Sequence, residues 1–337
     1  MALRLIEAVL PLTAEERLDE LFKDLETLAV WHQPVSEESL LVRVLLDADA
    51  SQTLLDDLSS RFSFADSFRE LILPVEATIP APPEPEKKKP EPEEKPAKKE
   101  KRFGRVSREE LLNDIAEGTV ISRNYLLTVF LSGLVAAVGL VQDSVAIIIG
   151  AMVIAPLLLP NMALALATTM GDRRLAGKAV KTNAAGFAGA LLFAVVLGLF
   201  INIDPTAREI ASRTTISFGD LVVALAAGSA GALAFTSGVS ASLVGVMVAV
   251  ALMPPLVSAG LLVGSGHYEA SLGAFILVAA NVICVNLAAV LTFMFKGIGP
   301  RTWWEADRAR RAVRFAVGMW TVLLLVLALI IAFRIIE

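Results

Sequence analysis

From Asn124 to Phe333 the chain carries one run after another of about 20 apolar residues, the length at which a helix crosses the core of a bilayer. No other feature limits the fold as much, because in lipid every backbone N–H and C=O must be satisfied inside the segment or by a packed neighbour. The composition agrees. With 55% hydrophobic residues and a mean hydropathy of +0.65, the chain is too apolar to be soluble if its charges were evenly spread. They are not, since most Lys, Arg, Asp and Glu lie in residues 1–121. The expected class is an α-helical polytopic membrane protein with an N-terminal α+β soluble domain. The net charge of -5 sums two unlike parts, and nucleic acid is not an expected partner.

Residues 1–78 read as alternating elements. RLIEAVLP is a strand, Thr13 to Glu16 has the spacing of a capping box, and Leu18, Leu21, Phe22 and Leu25 then share one helix face. LAVWHQ and LLVRVLLD are strands around a turn, ASQTLLDDLSSRF is a second helix and SFRELILPVEA a fourth strand. The order βαββαβ is that of a ferredoxin-like cytoplasmic domain, a module for regulation or assembly that is open to a small-molecule ligand. His32 has no acid or cysteine patterned around it and reads as a packing or surface residue. Residues 79–102 form a Pro, Glu and Lys-rich linker that cannot bury a core. Residues 103–121, opened by the Ser107/Glu110 capping pattern, read as an amphipathic interfacial helix in contact with membrane lipid.

Seven spans follow, at about 123–141, 144–170, 179–201, 219–236, 240–263, 272–295 and 313–334. Arg173, Arg174, Lys178 and Lys181 lie between the second and third, and a further basic group, Lys296 to Arg314, lies between the sixth and seventh. The positive-inside rule therefore expects a multi-pass cell (inner) membrane protein with a cytoplasmic N-terminus and the C-terminus outside. The opening residues contain no apolar stretch of signal-peptide length, which fits that orientation.

An offset of 95 residues lays repeat one, 122–202, over repeat two, 217–297, with about 19 identities in about 81 positions. Gly150, Met152, Val153, Leu157 and Pro160 fall on Gly245, Met247, Val248, Leu252 and Pro255. A repeat of three spans enters the membrane from opposite sides in its two copies, giving a 3+3 inverted repeat with the seventh span, 313–334, added. In each copy the middle span holds a proline pair, Pro156 with Pro160 and Pro254 with Pro255, so two helix breaks in register are expected, each freeing carbonyls inside the membrane. Prolines that merely kink packed helices are the alternative.

Polar residues near these breaks are the candidate substrate-binding set: Pro156, Pro160, Asn161, Asn183, Pro254, Pro255, Ser258, Asn281 and Asn286. Interhelical hydrogen bonding is the competing explanation for each polar one. Asp143 and Asp220, at span ends, are weaker candidates for an ion, against a plain border role. No span has a charged residue at its centre, so a neutral or carbonyl-coordinated cargo fits better than proton coupling through a buried acid. The chain has no HExxH, no Ser, His and acid set and one cysteine, Cys284, inside a span. No enzyme activity, catalytic residue, cofactor or metal is expected.

The stretch SRNYLLTVF, the D-S-x-A-x-I-I-G-A-M turn at Asp143 to Met152 and the A-P-L-x-x-P break at Ala155 to Pro160 occur in that order. With them the chain resembles, over about residues 107–262, the bacterial and archaeal membrane family called domain of unknown function 389. The resemblance implies the membrane fold and no substrate. Two functions remain open: a transporter or channel-like, homo-oligomeric protein for a small solute or ion, and a membrane-anchored sensor or scaffold without transport activity.

Overall fold

The computed structural model describes residues 3–22, 25, 27–75, 78, 107–237, 241–299 and 303–336. The expected linker, 79–102, lies outside the described residues. The chain divides into two units, Met1–Glu110 and Leu111–Glu337.

The first unit is a four-stranded antiparallel sheet with helices on one face. Its elements are β1 (Leu3–Pro11), a 3-10 turn (Leu12–Arg17), α1 (Leu18–Phe22), β2 (Thr27–Pro34), β3 (Ser39–Asp47), α2 (Ala48–Phe62) and β4 (Arg69–Val75). The strands run in the order β2-β3-β1-β4. Period-two alternation sends Ile6, Ala8 and Leu10 of β1 and Leu40, Val42, Val44 and Leu46 of β3 to one face. There they meet Leu18, Leu21, Leu54, Leu55 and Leu58 from the helices. Each such fully buried aliphatic side chain stabilises the unit by about 1.5–3 kcal/mol over its exposed state.

One local expectation is corrected. The turn after β1 starts at Leu12 with Pro11 as its cap and no side-chain cap bond, so Thr13 opens no capping box. Pro11 fixes the chain in extended geometry (φ -58, ψ 144) and feeds it straight into the 3-10 turn, leaving Thr13 already inside it. A helix, α3, covers Arg108–Glu117, and the Ser107 hydroxyl accepts the Glu110 N–H at 3.2 Å. Within the first unit Arg4 holds Glu110 through two bonds, 3.0 and 3.2 Å, and Arg108 reaches Asp56 at 3.1 Å.

The second unit is helical: α4 (Arg123–Val141), α5 (Val145–Ile154), α6 (Leu158–Met170), α7 (Arg173–Phe200), α8 (Arg208–Ala211), α9 (Phe218–Thr236), α10 (Ala241–Gly264), α11 (Tyr268–Phe295) and α12 (Trp303–Ile336). Among the described residues five helices are long and apolar enough to cross a membrane, or six if the pair α5 and α6, bent by 53°, is one span. Shifted by 95 residues, α4 falls on α9 and α7 on α11, end to end. The shift also lays the serine caps Ser122 and Ser217 on each other, and the left-handed glycines Gly171 (φ 71) and Gly266 (φ 83).

Packing makes α11 the centre of this unit: 72% of its apolar stretch is buried, against 17% for residues 310–332 of α12. α11 lies against α6, α9, α10 and α12, and α10 against α7. Missing side chains permit two of these approaches: a methyl on Gly228 would run into the Val285 backbone, and one on Gly198 into that of Leu261. The outward faces are apolar, with Phe315, Leu325, Leu329, Leu192 and Val222 among the exposed side chains. A surface of this kind needs lipid or a partner chain over it.

Candidate functional site

The first proline pair ends a helix. Pro156 has no N–H, so the Met152 carbonyl loses its i+4 donor, and its ring disfavours helical geometry at Ala155, which turns extended (φ -65, ψ 120) and terminates α5. Pro160 lies in the first turn of α6, where a missing N–H costs nothing. Ser132 of α4, buried, donates to the Ala151 carbonyl at 2.7 Å and so steadies the last turn before the break.

The second pair does not. α10 runs unbroken through Pro254 and Pro255, so the expected two breaks in register are one. The reason lies on another helix. The carbonyl that Pro255 leaves without its i+4 donor is that of Ala251, and the Asn281 amide of α11 donates to it at 2.5 Å. The offset also places Ala251, not a proline, opposite Pro156.

Three candidate asparagines meet beside the break. Asn286 of α11 donates to Asn161 Oδ1 at 3.0 Å, and Asn161 of α6 donates to Asn183 Oδ1 of α7 at 3.2 Å. Asn161 and Asn286 are wholly buried and Asn183 nearly so. Each of the first two also donates to the carbonyl four residues back, Asn161 to Leu157 at 2.7 Å and Asn286 to Val282 at 2.9 Å. All the donors point the same way, and at the α11 end Asn286 Oδ1 is a buried acceptor with no donor. The buried Ser258 hydroxyl on α10 is likewise without a partner. Such groups cost about 1–3 kcal/mol each unless water or a ligand satisfies them.

Asp143 and Asp220 have other tasks. Asp143, at positive φ (51), accepts the Glu209 N–H at 2.7 Å and so holds the start of α8, while Asp220 closes the capping box with Ser217 at the start of α9. Buried Glu209 pairs with Arg213 at 2.8 Å. Among the described residues no group of three or more His, Cys, Asp or Glu is placed to hold a metal ion. Outside the spans, the Thr206 hydroxyl and N–H hold the Asp204 carboxyl below its usual range. In the first unit His32 is 3.8 Å from Glu15, and a shallow groove lined by Leu5, Trp31, His32 and Arg43 runs over the open face of the sheet.

Sequence reasoning overlooked Ser132, although a serine inside an apolar span is a signal. It also overlooked the chain in which Tyr125 donates to the Thr182 carbonyl (3.0 Å) and Thr182 to that of Thr119 (2.9 Å), tying α7 to the start of α4.

Compared with known proteins, residues 152–287 match the family model described as Domain of unknown function (DUF389). An uncharacterised protein of Methanocaldococcus jannaschii, MJ0678, is 35% identical over 293 residues, 87% of this chain and 88% of its own. No solved structure matches. On that identity, carried across almost the whole chain, this protein belongs to the DUF389 family.

Proposed function

We propose that the protein is a transporter or channel-like protein for a small solute or ion, with its site at the α5–α6 break beside Asn161, Asn183 and Asn286. The observation that carries this reading is the orphan acceptor: Asn286 Oδ1 is buried without a donor next to a broken span. With no charged side chain among these residues, the reading favours a neutral hydrogen-bond donor or a monovalent cation over an anion. Pro156, Pro160, Pro254, Pro255, Ser258 and Asn281 belong in this reading to the frame around the site, and no catalytic step is assigned to any of them.

The same proposal takes the membrane part as seven spans in a 3+3 inverted repeat plus one, in the inner membrane, with the N-terminus cytoplasmic and the C-terminus outside. Its support is the coincidence of helix ends, serine caps and left-handed glycines under one offset, and the basic residues Arg173, Arg174, Lys178 and Lys181. The first unit is read as a ferredoxin-like domain for regulation or assembly, supported by its element order and its β2-β3-β1-β4 sheet.

One observation favours the scaffold reading instead: at Pro255 the freed carbonyl is consumed by Asn281, as in a dry packed bundle. Thermal unfolding of the purified protein against sodium, potassium, neutral amino acids and sugars separates the two. Transport predicts a compound that raises the midpoint of the parent and not of Asn286→Ala, and whose uptake into proteoliposomes Asn286→Ala abolishes. If no compound in the panel shifts the parent, or Asn286→Ala leaves both shift and uptake intact, this site is wrong.

A further inference from the structure

The sheet of the first unit buries one face under α1 and α2, and its other face is apolar and open among the described residues. The cross-strand register sets Leu71, Glu7, Arg43 and Trp31 side by side across all four strands, with Leu5 opposite Leu45 in the next row of that face. Leu71 is 56% and Trp31 52% exposed, and the Glu7 and Arg43 side chains pair at 2.6 Å in the middle. The row therefore reads apolar, acid, base, apolar.

This order is its own complement. A second sheet turned by a two-fold axis running along the strands, midway between β1 and β3, brings the same row in reverse order. Glu7 then meets the partner copy's arginine, Leu71 the partner copy's tryptophan, and Leu5 the partner copy's row of leucines, at the spacing of about 10 Å at which sheets pack face to face. Two ion pairs become a ring of four alternating charges inside an apolar rim, where each carboxylate has two guanidinium groups to accept from.

We infer that this face is the docking surface for the same face of a second copy of this chain. The inference rests on the assembly role proposed for the first unit and is independent of the transport reading.

Bismaleimide crosslinking of the full-length protein in detergent tests it, in a Cys284→Ala background that removes the native thiol. Leu5→Cys, close to the axis, should give a dominant dimer-sized band, and Ser60→Cys, exposed on α2 behind the sheet, should stay monomeric. Glu7→Arg places four positive charges at the centre and should remove the Leu5→Cys band, and Glu7→Arg combined with Arg43→Glu should restore it. That rescue separates docking from a general loss of fold. The inference is overturned if Leu5→Cys does not crosslink, as when lipid or another protein covers the face. It is equally overturned if Ser60→Cys crosslinks as strongly, or if the band ignores the charge at position 7. None of these outcomes bears on ligand shifts that depend on Asn286, so the two proposals fail separately.

Discussion

Asn281 shows what one side chain does for a proline. Removing it leaves the Ala251 carbonyl unpaired beside a ring that cannot donate, so Asn281→Ala should cost about 1–3 kcal/mol, read as a lower thermal midpoint. In a Pro255→Ala background the backbone donor returns, and the same substitution should cost clearly less. A double-mutant cycle with no coupling would refute the pairing. Within the asparagine row, Asn161 is the link that both donates and accepts. Asn161→Ala is expected to lower the midpoint more than Asn183→Ala, which removes one bond from the end. The residue types and their nearness to the prolines were legible in the sequence. Their meeting was not, because Asn161 and Asn286 are 125 positions apart and only the packing of α6 against α11 joins them.

At the scale of elements, both ends of α4 and α9 and the far ends of α7 and α11 were legible because an apolar stretch between serine caps and charges has few places to stop. By contrast, α7 and α11 begin at Arg173 and Tyr268, before the expected 179 and 272, because their first turns are polar and carry no apolar signal. The fate of each proline pair was not legible either, since it depends on whether another helix supplies a donor. Close packing gives a further prediction. Gly198→Val pushes against the backbone of Leu261 on α10, and Gly228→Val against that of Val285 on α11. Each should cost about 1–3 kcal/mol, seen as lost yield of folded protein. Gly150→Ala, with open space around it, should leave the yield unchanged. The start of α3 titrates. Burial raises the Glu109 pKa, but the Arg108 hydrogen bond and charge, together with hydrogen bonds from its own backbone N–H and from Gln52, outweigh it and set the net value below 4.5. Its contribution to stability is thus fully present above pH 4.5 and lost as the pH falls through the lower folded value. The difference in midpoint between the parent and Glu109→Gln should close over that window, and a gap that persists at lower pH would contradict the assignment.

At the scale of the whole molecule, the helical unit packs α6, α9, α10 and α12 against α11, and over residues 310–332 of α12 only 17% is buried. The proposed reading of seven spans puts the termini on opposite sides. In the Cys284→Ala background, Thr206→Cys should react with an impermeant thiol reagent from outside intact cells, and Arg173→Cys only after the membrane is opened. The reverse pattern would invert the proposed orientation.

The asparagine row has one further property. Turning over a single amide would set like against like, so the row reverses only as a whole, and reversal would also forfeit the bonds from Asn161 to the Leu157 carbonyl and from Asn286 to that of Val282. Two helix carbonyls thus act as a latch on its direction. Whatever arrives at the α11 end always finds a lone pair and never a proton, so the row sorts visitors by what they can give.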